Sequence, residues 1–349
     1  MSDISKNEED NKILNEAEVA IKTAPTAPES LNTEVVSKPR PKSSYPKKIR
    51  RIALCLSLIL IAYFIFSNRG LSDLPFFDRF FWQPAASYED YEILYAGQIA
   101  ENDYEAALES TEAMIGLYEA QEEPNLSELW VRKGCLFALL GEYESTFEAL
   151  SEALEQGGDP AQIYLLETQF YADLNDYVNT IIALENYLQA KPEDTQMRST
   201  LAQVYMTYSD YKKAALEYEK LAAALPENAE YFFYLGYCRM QLKDYNLAVS
   251  AFDSSESLGA QYINLYYYRG VCLMSLSDYE KAVADYTKAL EANPAEAQTY
   301  RYNRGLCLVQ LLKYKEAAED FTFSSQNGSD EELKSTSLSF LELLKDVLE

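Results

Sequence analysis

The stretch that decides the fold is residues 279–290, Tyr-Glu-Lys-Ala-Val-Ala-Asp-Tyr-Thr-Lys-Ala-Leu. Tyr279, Val283, Tyr286 and Leu290 fall at steps of three and four, which places them on one stripe of a helix. Gly270 stands nine residues before Tyr279 and Pro294 fifteen after it. The same frame recurs outward in both directions. Tyr104, Tyr143, Tyr177, Tyr211, Tyr245, Tyr279 and Tyr314 head equivalent pieces at spacings of 39, 34, 34, 34, 34 and 35. Nine residues before the last six stand Gly134, Thr168, Ala202, Gly236, Gly270 and Gly305. Three residues after them stand Thr146, Thr180, Ala214, Ala248, Ala282 and Ala317, and seven after stand Leu150, Leu184, Tyr218, Phe252, Tyr286 and Phe321. Pro192, Pro226 and Pro294 close three of the units.

A fixed period near 34 marks a repeat protein whose unit is one pair of helices. Two antiparallel helices approach closely only where both side chains are small, the bulky group one turn on fills the space beside the contact, and Pro stops the second helix. The pattern resembles the tetratricopeptide repeat family over residues 88–325. That resemblance implies an all-α solenoid of six to seven helix-turn-helix repeats. The first unit departs from it, with Tyr95 at the small position and the next spacing stretched by five. Residues 326–349 are expected to form a C-terminal capping helix with one apolar face.

Composition narrows the chemistry. The chain has 349 residues, 56 acidic against 30 basic side chains, a formal charge of −26 and no histidine. Ser-His and Cys-His nucleophiles, His-ligated metals and imidazole acid–base catalysis are therefore excluded. A nucleic-acid binder of the usual kind needs a clustered basic footprint, which this balance lacks. Cys238, Cys272 and Cys307 recur seven residues before their tyrosines, with Cys135 one position off that register. Equivalent positions of adjacent repeats lie beyond disulfide reach, and no CxxC occurs, so these are expected as buried thiols, which weigh mildly against an oxidising compartment. No catalytic, cofactor or metal residue can be assigned, and a non-enzymatic chain is expected. Arg269 and Arg304 enter together with Asp285 and Asp320, sixteen residues on, a pairing expected to be an ion pair within each repeat.

The N-terminal portion differs in kind. Residues 1–48 are expected as a disordered cytoplasmic tail, polar and Pro-containing, in which residues 8–22 form at most a transient helix. Residues 49–67 enclose an apolar run, Ile52–Phe66, of 15 residues, about 22 Å of helix at ~1.5 Å per residue, and are expected as a single transmembrane helix in contact with a lipid bilayer. Residues 36–51 hold seven Lys or Arg and no acid, whereas residues 68–349 carry 20 basic and 48 acidic side chains. By the positive-inside rule the N-terminus stays cytoplasmic and the repeat array is extracytoplasmic. Residues 68–87, with Phe76, Phe77, Phe80, Phe81 and Trp82, fit an aromatic juxtamembrane linker.

In the family the first helix of each repeat lines a concave groove. Positions twelve, eight and five before each tyrosine share one face of that helix. The groove is expected to be polar in the middle, with Gln162, Gln169 and Gln203, and aromatic with methionine toward the C-terminus. Phe233, Tyr234, Tyr237, Met240, Tyr267, Tyr268, Met274 and Tyr302 are the candidate peptide-groove residues. Two readings of them stand: aromatic anchors for a protein or peptide partner, basic or neutral against the acidic array, or packing between neighbouring helices. Basic clamps for a C-terminal carboxylate are missing, since Arg132 and Asn303 are isolated. The function expected is a membrane-anchored scaffold for envelope or secreted proteins. The alternative is an organelle-surface receptor with the array in the cytosol, for import or chaperone docking.

Overall fold

The computed structural model describes residues 2–23, 87–119 and 126–348. They form sixteen α-helices and no β-strand among the described residues. α1 is Ser2–Thr23, and α2 (Tyr88–Glu101) and α3 (Tyr104–Glu119) make one hairpin. Six further pairs follow: α4 (Leu126–Leu140) with α5 (Tyr143–Glu155), α6 (Pro160–Asp173) with α7 (Tyr177–Ala190), and α8 (Thr195–Thr207) with α9 (Tyr211–Ala224). Then come α10 (Ala229–Gln241) with α11 (Tyr245–Ser257), α12 (Leu265–Ser275) with α13 (Tyr279–Ala292), α14 (Ala297–Gln310) with α15 (Tyr314–Gln326), and α16 (Glu331–Leu348). Two compact units result, one containing the α2/α3 hairpin and the other containing α1 together with α4–α16.

Every one of the seven repeat tyrosines is the first residue of the second helix in its pair. The turn that precedes it follows one recipe. The residue two before each tyrosine lies in the left-handed region: Asn102, Gly141, Asn175, Ser209, Lys243, Ser277 and Leu312, with φ between 58° and 83°. This lets the amide of the following residue reach back to the carbonyl of the first helix, as Asp176 does to Tyr171 and Asp278 to Leu273, both at 2.9 Å, satisfying a terminal carbonyl that would otherwise lack a donor. Capping aspartates then start several helices. Asp194 accepts from the amides of Gln196 and Met197 at 3.0 Å, and Asp210 from that of Lys213 at 3.1 Å.

The small-on-bulky contact holds each pair together. A Cβ placed on Gly236 would lie 2.8 Å from the Phe252 ring, on Gly270 3.0 Å from Tyr286, and on Gly305 2.9 Å from Phe321. Phe252, Tyr286 and Phe321 are fully buried, as is Tyr218 opposite Ala202. Successive pairs stack edge to edge, so that the first helices α10, α12 and α14 touch one another, and α16 continues that row by packing on α15 and α14. Leu333, Phe340 and Leu344 of α16 are buried, and Phe340 stacks on Phe321 with ring centroids 4.9 Å apart.

Two expectations are changed or left aside. Within the tail expected over residues 1–48, Ser2–Thr23 form the α1 helix, packed on α12, α14 and α16, while residues 24–48 lie outside the described residues. The reason lies in a stripe: Ile13, Leu14, Ala17, Ala20 and Ile21 share one side of the helix and enter the apolar core, which provides the burial that the segment alone lacks. The proposed membrane span, residues 49–67, and all but the last residue of the aromatic linker, residues 68–87, lie outside the described residues. Among the described residues no helix is long and apolar enough to cross a membrane.

Candidate functional site

The face built by the first helices changes character along the array. In α6 the positions twelve, eight and five before Tyr177 are Leu165, Gln169 and Ala172, all exposed. In α8 they are Ser199, half-buried, Gln203, exposed, and Met206, buried. In α10, α12 and α14 every such position is buried: Phe233, Tyr237 and Met240; Tyr267, Val271 and Met274; Tyr302, Leu306 and Val309. A largely open stretch of mixed polarity therefore gives way to a closed, mainly apolar one.

All eight candidate groove residues sit in the closed part. Phe233 stacks on Tyr262 at 4.2 Å, Tyr234 on Tyr218 at 5.3 Å, and Tyr237 meets Tyr268 edge-on at 5.3 Å. Tyr267 packs on Tyr300 at 5.0 Å, and Tyr302 meets Phe321 at 6.0 Å. Met274 receives the Tyr286 hydroxyl at its sulfur, 3.8 Å away, and Met240 is 3% exposed. Burial pushes the hydroxyls of Tyr237 and Tyr267 well above the ordinary tyrosine range. In this arrangement these rings pack between neighbouring helices and are not presented to an incoming partner.

What closes the C-terminal part of the face is α1. Ile13 and Ala17 are 2% and 0% exposed, whereas Val19 on the far side of the helix is 62% exposed. Gln310, the last residue of α14, donates from Nε2 to the Leu14 carbonyl at 3.0 Å. All three packing partners, α12, α14 and α16, belong to the first-helix row. The face thus already holds an amphipathic helix. Sequence reading missed this, although the Ile13-Leu14-x-x-Ala17-x-x-Ala20-Ile21 spacing was the available signal.

The Arg–Asp pairs form as the paired substitutions imply. Arg269 grips Asp285 through Nε and Nη2 at 2.7 and 2.9 Å, and Arg304 grips Asp320 at 2.7 and 2.8 Å. Arg269 Nη1 also reaches Asp253 at 2.7 Å and Glu256 at 2.6 Å in the preceding pair, so it bolts two repeats together. Burial acts against the charge of Arg269, but the hydrogen bonds it donates to Asp285 and Glu256 outweigh that and raise its pKa. Glu256 is likewise partly desolvated, yet its bonds to Lys288 and Arg269 lower it to about 2. Glu256, which resembles a plain exposed helix residue in sequence, is therefore a structural tie. Cys135, Cys238, Cys272 and Cys307 are free and buried. Burial pushes the thiols of Cys135 and Cys238 to about 12, so none of this pair is a ready thiolate. No group of three metal-ligating side chains occurs among the described residues.

The Tetratricopeptide repeat family matches residues 199–263 and again residues 263–295. Residues 199–295 are tetratricopeptide repeats. The flanking helix pairs share the same frame of small residue, left-handed turn, tyrosine and bulky residue. Solved structures with similar folds include the Naa15/Naa10 complex bound to HypK-THB, at 16% identity and a TM-score of 0.56, covering 73% of this chain and 39% of that one. YrrB, a tetratricopeptide repeat protein with an unusual peptide-binding site, is similar at 20% identity, with a TM-score of 0.47 and coverage of 55% and 98%. MamA from Desulfovibrio magneticus RS-1 is similar at 21% identity, with a TM-score of 0.42 and coverage of 47% and 93%. No curated protein matches the chain.

Proposed function

We propose that this tetratricopeptide repeat protein is a non-enzymatic interaction scaffold that takes a protein or peptide on the face formed by its first helices. The observation that carries the reading is that a helix, α1, is already seated on that face across α12, α14 and α16. A surface that accepts one amphipathic helix by burying its apolar stripe has the shape and chemistry to accept another. The open stretch over α6 and α8, with Leu165, Gln169 and Gln203 exposed, offers a continuation of mixed polarity for the same or a second ligand. The net charge of −28 over residues 68–349 favours basic or neutral partners, whose association slows as salt rises.

The seating of α1 bears on the membrane reading. A single crossing by residues 49–67 would put residues 2–23 and the array on opposite faces of a bilayer, and α1 could not then dock on the array of its own chain. Intramolecular docking of α1 therefore favours both segments on one side of any membrane.

A photo-crosslinking side chain tests the scaffold reading. Introduced at Gln169 or Gln203 it should give adducts with a bound partner, whereas at Leu216, exposed on the second helix α9, it should not. Adducts of equal yield from Leu216, or none from Gln169 and Gln203, would contradict a first-helix binding face.

A further inference from the structure

We propose that the C-terminal part of the first-helix face is a binding site for an amphipathic helix, that α1 is its resident occupant, and that a partner helix with the same apolar stripe gains access by displacing α1. The inference rests on the reading of this face as a binding surface and adds the class of ligand and the means of control.

The footprint defines the ligand. α1 contributes a short aliphatic stripe, Ile13, Leu14, Ala17, Ala20 and Ile21, with spacing i, i+1, i+4, i+7 and i+8, which is the pattern of a helix lying in a groove. Ala17 is fully buried, so the helix backbone approaches the face closely there, and a larger side chain at this point would hold the two apart. The receiving surface is apolar: Met274, Leu306 and Val309 are buried in the same core cluster as Ile13 and Ala17. Gln310 adds one polar clamp to the ligand backbone at the Leu14 carbonyl, a contact that does not depend on the ligand's sequence.

The charges make the resident replaceable. Residues 2–23 hold six acidic and three basic side chains, and the surrounding array is acidic as well. Among the described side chains of α1, Lys22 pairs with Glu18 of the same helix at 2.8 Å, and both are largely exposed. The buried contacts of Ile13 and Ala17 are apolar, the helix and the array carry net charge of the same sign, and tethering supplies a high local concentration. A helix carrying the same stripe with a basic outer face would meet the array without that repulsion. This is the kind of partner the site is built to take.

The test uses the full chain and a fluorescent peptide of residues 2–23 as probe. A tethered resident at millimolar effective concentration with an intrinsic Kd near ten micromolar raises the apparent Kd of an added copy about 100-fold. The full chain carrying Ala17→Arg, which cannot seat its own helix, should therefore bind the probe about 100-fold more tightly than the unaltered chain. A probe with Glu16→Lys and Glu18→Lys should bind that variant more tightly still at low salt, and the advantage should shrink at high salt. Ile13→Glu is the second ejecting variant, should Ala17→Arg disturb folding by circular dichroism. Leu14→Cys with Gln310→Cys gives an independent readout, and a disulfide-linked monomer is expected under mild oxidation. Equal probe binding by all chains, binding by none, or a disulfide only between two chains would overturn the proposal. None of these outcomes touches the crosslinks at Gln169 and Gln203, so the scaffold reading stands or falls separately.

Discussion

Gly236→Ala tests the close contact on which the repeat frame depends. The added methyl carbon would lie 2.8, 2.9 and 3.1 Å from three atoms of the Phe252 ring, inside ordinary van der Waals contact. The ring has little room to yield, since it is fully buried and packs against Phe233 and Tyr268. Forcing a methyl group into such a contact costs about 1–3 kcal/mol. Replacing a mid-helix glycine by alanine returns about 1 kcal/mol through backbone propensity. The net expectation is a destabilisation of about 1 kcal/mol. Gly116→Ala in α3, where nothing lies within 4 Å, should instead stabilise by about 1 kcal/mol. Urea unfolding followed by circular dichroism measures both, and Phe252→Leu in the Gly236→Ala background should recover part of the loss. A stabilising Gly236→Ala, or independent effects of the two substitutions, would refute the contact.

Two further outcomes follow from particular residues. Leu312 holds φ 58° in an exposed turn where the other repeats use Asn, Gly, Ser or Lys; Leu312→Asn should raise the urea midpoint by about 0.5–1 kcal/mol of stability, and an unchanged or lower midpoint would show that its side chain contributes contacts of its own. Glu256 falls from its ordinary 4.5 to about 2 in the folded chain, so its contribution is complete above pH 4.5 and is lost as pH drops from 4.5 toward 2. Glu256→Gln should accordingly lessen the fall in unfolding midpoint across that window, and an identical pH profile would remove Glu256 from the Arg269–Lys288 tie.

The fold was legible because it repeats. A small residue at minus nine, tyrosine and a bulky residue at plus seven, seen six times over, fix which helices touch, and the Gly270–Tyr286 and Gly305–Phe321 approaches fall where that spacing puts them. The Arg269–Asp285 and Arg304–Asp320 pairs were legible for the same reason, since both partners change together against an otherwise constant frame. The left-handed turn position was not, because Asn175, Ser209, Lys243 and Leu312 share no residue type and tertiary packing imposes the conformation. The site was legible only in part. Periodicity identifies Tyr237 and Tyr267 as first-helix residues but cannot say whether a neighbouring helix covers them. Nor does the acidic, polar segment around Ile13 disclose that it finds its apolar partner some 300 residues away in α14; only the fold brings Leu14 to Gln310.

The central claim is that the first-helix face is open over α6 and α8 and closed by α1 over α12, α14 and α16. Native-state hydrogen exchange read by mass spectrometry on the full chain tests it most directly. The account predicts slowed exchange of the amides around Ile13–Ile21, which in the Ala17→Arg chain becomes fast, together with faster exchange at the ends of α14 and α16 and no change in α6. Exchange of residues 13–21 at the rate of an unstructured peptide in the unaltered chain would contradict it.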